Sequence, residues 1–181
     1  RPGAISPRVL YDGSDDYVSF GSIDPAGRDM TVAFWFYNFQ TSGISSAWVL
    51  SMRGATTAVF TAFCFYTGTP TTTNLAVNAV TTTTSPVVAP NASILRNTWY
   101  HAIAVRTAAN SIAALYINGK SVSGGTGITG APDVSTFTIG TAIVTGAPAA
   151  TFTLNGLVDD VMLWQDRQLS AQEAYALYLE S

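Results

Sequence analysis

The sequence predicts an all-β protein, an antiparallel β-sandwich with a short C-terminal helix. Three observations lead there. Short runs rich in Val, Ile, Thr, Phe, Tyr and Trp recur along the chain, punctuated by Gly, Pro and Asn, as strands between turns are. Several of these runs segregate their side chains at period two, the spacing of a pleated strand. Only the last stretch, "SAQEAYALYLE", carries helix signals. The chain has 181 residues, 48% of them hydrophobic, which is the size of one domain able to bury a core. We divide it into an extended N-terminal arm, 1–7, and a single domain, 8–181.

The elements follow in order. "VLYDG" and "DYVSF" are short strands around an Asp-rich turn. "DMTVAFWFYNF" is longer: Met30, Val32, Phe34 and Phe36 form one face, Thr31, Ala33, Trp35 and Tyr37 the other. "SAWVLSMR", "AVFTAFCFYT" and "NLAVNAV" read as further strands. In "TWYHAIAVRT", Trp99, His101, Ile103 and Val105 share a face, and "SIAALYING" sets Leu115 and Ile117 opposite Tyr116. Asn118-Gly119 is a type I′ hairpin signal, because both central positions of that turn need φ > 0. "KSVSG", "STFTIG" and "FTLNGLVDDVMLW" complete the strands. Period two places Leu157, Val161 and Leu163 around Asp159, and Val158, Met162 and Trp164 around Asp160. At least one carboxylate then sits among apolar side chains, where it needs a cation, an arginine such as Arg8 or Arg106, or backbone amides. Ser170 with Glu173 three residues on is a capping box, followed by Ala174, Leu177 and Tyr178 at helical spacing.

Charge narrows the partners. Lys and Arg total 8 against 11 acids, for a net charge of -3. The cations are scattered, so no basic stripe is available for phosphates and no nucleic-acid partner is expected. No run reaches the roughly 20 apolar residues of a membrane span, so no membrane insertion is expected. The single cysteine, Cys64, lies in an apolar run and reads as an inert buried thiol. Asn91-Ala92-Ser93 is a formal glycosylation sequon.

The blocks "LYDGSDDYVSF", "MTVAFWFY", "WYHAIAV", "ALYINGK", "FTIG" and "FTLNGLVDDVMLWQDRQLSAQEAYALY" occur in this order. Together they resemble the laminin-G-like, concanavalin A-like lectin-glucanase jelly-roll superfamily, in its bacterial and phage type. The resemblance implies a jelly roll of two antiparallel sheets packed face to face. It also implies a concave sheet that binds sugars in some relatives, a rim calcium in some members, and no catalytic activity in most.

Hydrolysis of a glycosidic bond uses two carboxylates flanking it. The two glutamates, Glu173 and Glu180, both lie in the helix, and adjacent Asp159 and Asp160 point to opposite faces of a regular strand. His101 has no acidic neighbour in sequence and reads as a hydrogen-bonded core histidine. No catalytic residue is assigned, and the protein is expected not to be an enzyme. Asp12, Asp15 and Asp16 have two readings. They are oxygen ligands for a structural Ca2+, or turn formers whose carboxylates bond nearby backbone amides. The resemblance sets the opening strands near the "VDDV" strand, so the candidate calcium set is Asp12, Asp15, Asp159 and Asp160. For ligand binding, Trp35, Tyr37 and Tyr116 project from faces opposite the core and are candidate sugar-stacking rings. The expected function is a non-catalytic surface binding or adhesion module, lectin-like in character. Its expected site is extracellular or a particle surface, its partner a glycan. The alternative is a structural virion decoration, tail-fibre or cell-surface domain packing against neighbouring subunits without binding glycans.

Overall fold

The computed structural model describes residues 8–24, 27–39, 46–54, 60–67, 72–80, 87–88, 93–108, 112–124, 135–141, 143–144, 147–148 and 153–181. Side chains are described for 8–24, 27–39, 48–51, 94–108, 114–122, 136–141 and 153–181. The N-terminal arm, Asn91 of the sequon and the Cys64 side chain lie outside this description.

The strands are β1 (Val9–Asp12), β2 (Val18–Ile23), β3 (Met30–Asn38), β4 (Ser46–Gly54), β5 (Phe60–Thr67), β6 (Thr72–Val80), β7 (Val87–Val88), β8 (Ser93–Leu95), β9 (Trp99–Arg106), β10 (Ile112–Ile117), β11 (Lys120–Gly124), β12 (Ser135–Ile139), β13 (Ile143–Val144), β14 (Ala147–Pro148) and β15 (Asn155–Gln165). The helix α1 (Ala171–Glu180) follows. The main strands and the helix fall where the pattern predicts them. The short β7, β8, β13 and β14 do not show in the sequence, because two or three residues carry no period.

One sheet has the order β1-β15-β3-β9-β10-β11 and the other β2-β12-β4-β5-β6-β7, with β8 on β6. All these pairings are antiparallel. Between the sheets lies a core of Tyr11, Met30, Val32, Phe34, Phe36, Leu50, Ile94, Leu115, Phe137, Ile139, Leu154 and Val158. Burying a side chain of this size stabilises the fold by about 1.5–3 kcal/mol.

The outer face of the first sheet is also covered. Ala33, Ile103, Val105 and Tyr116 pack there with Leu169 and Ala174, and with half-buried Trp164 and Leu177. The helix is held at its start by the predicted box: Ser170 Oγ accepts from the Glu173 amide, and Glu173 accepts from Ser170 N at 2.8 Å. That backbone bond, with the Arg167 guanidinium 2.7 Å away, holds the Glu173 carboxyl down at about 2. Thr31 donates to the Arg167 carbonyl and accepts from Leu169 N, tying the entry of α1 to β3.

Strand β15 corrects the expected side-chain alternation. Its register on β3 shifts between Asp159 and Met162, and Asp160 has φ 46°. The extra residue is a β-bulge, which reverses the parity downstream. Leu157, Asp159, Met162 and Trp164 therefore pair with the outer-face residues Tyr37, Trp35, Ala33 and Thr31. Val158, Val161 and Leu163 face the inter-sheet core instead.

Gly140, after β12, has φ +92° and donates to the Val49 carbonyl at 3.0 Å. A Cβ there would collide with the Tyr11 ring and lie 2.9 Å from the Asp16 carbonyl. Gly140→Ala is therefore expected to destabilise the domain by about 3 kcal/mol or more, from clash and backbone strain together. Urea unfolding of the variant checks this, and a loss below about 1 kcal/mol would mean that the loop yields freely.

Candidate functional site

Strand pairing sorts the outer face of the first sheet into rows, because directly opposed residues project to the same side. One row runs Asp159, Trp35, His101 across β15, β3 and β9. The next runs Leu10, Leu157, Tyr37, Trp99 across β1, β15, β3 and β9. The two rows are two residues apart, about 7 Å.

The first row is covered by the end of α1. Trp35 is 6% exposed, and its ring lies 5.1 Å from His101 and 5.8 Å from Tyr178 between centroids. Trp35 Nε1 donates to Ser181 Oγ at 3.0 Å. Tyr116, also 6% exposed, packs under the helix. The stacking platform expected of Trp35 and Tyr116 is thus not presented to solvent. A β-pattern shows that a ring leaves the core, but not that a distant helix will lie on it.

The second row stays open. Tyr37, Trp99 and Phe39 are half-buried, and Leu10 is 60% exposed. Tyr37 lies 5.4 Å from Trp99 at 58° and 4.9 Å from Phe39 at 62°. The Arg8 guanidinium stands 5.1 Å over the Trp99 ring, a cation–π contact. Tyr37 thus keeps its place in the candidate surface. Trp99, Phe39 and Arg8 join it, which the sequence reading did not select. Alternation put Trp99 on the face of His101; only the register shows that it stands opposite Tyr37.

His101 is buried, as expected, but outside the inter-sheet core and without the expected side-chain bond. Its Nδ1 has no hydrogen-bond partner among the described residues. Its backbone amide donates to Asn118 Oδ1 at 2.9 Å. Burial pushes the imidazole down to about 4, so it is neutral at pH 7.

The acidic residues do not converge. Asp12 pairs with Asn155, four positions before Asp159 on β15, and so lies about 13 Å along the strand from it. Calcium ligands stand 2.3–2.6 Å from the ion, so Asp12 and Asp159 do not fit one shell. Asp12 Oδ1 accepts from the Ser14 amide at 2.7 Å, and Asp16 Oδ2 accepts from the Asp12 amide at 3.0 Å. Asp15 is exposed in the same loop. Thr153 Oγ1 donates to the Gly13 carbonyl and fastens the loop. Asp159 Oδ1 accepts from the Asp160 amide at 2.9 Å. Arg106 sits at the far end of β9, with Nη1 3.8 Å from Met30 Sδ. Among the described residues no group of three or more His, Cys, Asp or Glu side chains is placed to hold a metal.

The layered sheets and the aromatic outer face define a lectin-type jelly roll. The chain belongs to the concanavalin A-like lectin/glucanases superfamily, whose laminin-G-type profile matches residues 12–174. No curated protein matches it. Solved structures are similar in fold. A native heptameric SAP-like pentraxin from Limulus polyphemus shares 18% identity at a TM-score of 0.73, over 94% of this chain and 81% of its own. Domain 4 of AbnA, a GH43 extracellular arabinanase from Geobacillus stearothermophilus in complex with arabinotriose, shares 16% at 0.69, over 98% and 79%. The CBM40 of the Ruminococcus gnavus IT-sialidase shares 11% at 0.66, over 95% and 98%. Among the described residues no helix is long and apolar enough to cross a membrane.

The loop geometry separates turn chemistry from cation binding. Asp12→Asn keeps the acceptor for Ser14 and is expected to stay within about 0.5 kcal/mol of the native chain, whereas Asp12→Ala loses about 1 kcal/mol. Melting of the native chain is expected to be the same in calcium and in EDTA. A calcium-dependent rise in Tm that Asp12→Asn removes would restore the cation reading.

Proposed function

We propose that the protein is a non-catalytic carbohydrate-binding module whose saccharide face is the open row Leu10, Leu157, Tyr37, Trp99, with Phe39 and Arg8 at its margin. The observation that carries this is the cluster of three half-buried rings that the helix does not roof, on a sheet where it covers Trp35 and Tyr116. Sugars present C–H faces and hydroxyls, which suits amphipathic Tyr and Trp rings better than it suits purely aliphatic surface. The superfamily and the arabinotriose complex of the arabinanase domain support the reading, and so does the carbohydrate-binding module of the sialidase.

The acids support the absence of catalysis. A glycosidase holds its two carboxyls about 5–9.5 Å apart across one cleft. Here Asp12 and Asp16 bond loop amides, Asp159 bonds a neighbouring amide, and Asp166 and Glu173 pair with Arg28 and Arg167. An extracellular or particle surface, where glycans are met, is the proposed setting.

Screening against an array of neutral and acidic glycans at pH 7 tests the reading. Trp99→Ala is expected to weaken any bound glycan about tenfold or more, and Trp35→Phe to leave affinity unchanged, since Trp35 is covered. No binding to any glycan, or binding indifferent to Trp99, would overturn it.

One observation favours a second reading, packing in an assembly. Phe20, 57% exposed, and Val9, 44% exposed, border a cavity of about 180 Å³ at the open edge between β1 and β2, with Tyr11, Val18, Ile139 and Val158. On that reading sedimentation finds a self-associated species that Phe20→Ser reduces to monomer. A concentration-independent monomer would leave the glycan reading alone.

A further inference from the structure

We infer that the last turn of α1 is an acid-released cover over the Trp35–His101 row. His101 is walled on three sides. Strand β3 contributes Trp35, the β10–β11 turn contributes Asn118, and α1 contributes Tyr178, stacked at 6.0 Å and 28°. Tyr178 is the titratable side chain in ring contact with it. Lys120 on β11 and Glu180 on α1 are exposed, and Asp159 on β15 lies beyond Trp35 in the same row with Oδ1 on the Asp160 amide. Nδ1 is enclosed with no acceptor among the described residues.

A neutral imidazole tolerates this enclosure. A protonated one carries an N–H at Nδ1 that must find water or an acceptor. Two of the three walls are hard to move, because β3 and β9 are laddered to neighbours on both sides and the β10–β11 turn is tied to β9 twice at Asn118: its amide donates to the His101 carbonyl, and its Oδ1 accepts from the His101 amide. The helix is the movable wall. It fully buries only Ala174, and its last turn is held to the sheet by the Trp35 Nε1–Ser181 Oγ bond and the Tyr178 stack. Such peripheral elements open at the low end of a domain's stability range.

The sign follows from linkage. Above pH 6.5 His101 is neutral whether the cover is closed or open, and the closed form keeps its full advantage. Between 6.5 and about 4 the open form binds the proton and the closed form does not. The closed form's advantage therefore falls as pH falls through this window, and falls no further below it. Opening bares Trp35 and His101 beside Tyr37 and Trp99 and adds two rings to that surface. That last consequence rests on the saccharide reading of the face; the opening itself does not.

His101 is the one histidine in the chain, so its imidazole NMR signal is unambiguous. The test records that titration alongside amide hydrogen exchange from pH 7 to 4, corrected for intrinsic rates. The expected result is a tenfold or greater loss of protection in 174–180 that sets in below pH 6.5 and levels off at the His101 midpoint, while β3 and β9 stay protected. His101→Phe, which keeps a stacked ring, is expected to abolish the loss. Should that variant not fold, Tyr178→Ala is expected to raise the His101 midpoint toward 6.5. Unchanged helix protection while His101 titrates would overturn the inference, as would loss of α1 and β9 protection together. A protein that binds no glycan leaves this exchange result standing. An absent exchange effect leaves the Trp99 result standing.

Discussion

Strand β3 is buried on both faces, and most of the molecule's arrangement follows from that. Met30, Val32, Phe34 and Phe36 fill the space between the sheets, while Thr31, Ala33 and Trp35 face away from it and are equally enclosed. An antiparallel sheet ordinarily leaves one face to water. Here the alternate residues of β3 and β9 are apolar or aromatic, so the sheet requires a second layer, and α1 supplies it. The helix needs the sheet in turn, since ten residues form only a marginal helix without tertiary packing.

The cover is partial, and its edge divides the outer face by chemistry. Beneath α1 lie Ala33, Ile103, Val105 and Tyr116. At its end lie Trp35 and His101, and past its end Tyr37, Trp99 and Phe39 reach solvent. His101 Nδ1, without a hydrogen-bond partner among the described residues, sits at the boundary.

The β1 edge of the same sheet is shaped by backbone. The bulge at Asp160 turns Val161 and Leu163 inward, and Gly140 lets the Tyr11 ring and the Asp12–Asp16 loop close over the edge. Burial pushes the Tyr11 hydroxyl up to about 12, with Asp16 adding to the effect, so this buried phenol stays neutral. Asp12, Asp16 and Asp159 here accept from backbone amides.

By itself the sequence determined the fold class, the two faces of β3, the Asn118-Gly119 hairpin and the capping box. Each is a local property, set by a period of two, a φ requirement or a three-residue spacing. Only the tertiary structure decided which outward rings are open. Trp35 and Tyr37 are two residues apart on one face, yet one is roofed by a helix more than 130 residues away and the other is not. The parity switch in "VDDV" was likewise hidden, because a bulge depends on what the partner strand opposes. So was the separation of Asp12 from Asp159, because strand register is a long-range property that no spacing along the chain encodes.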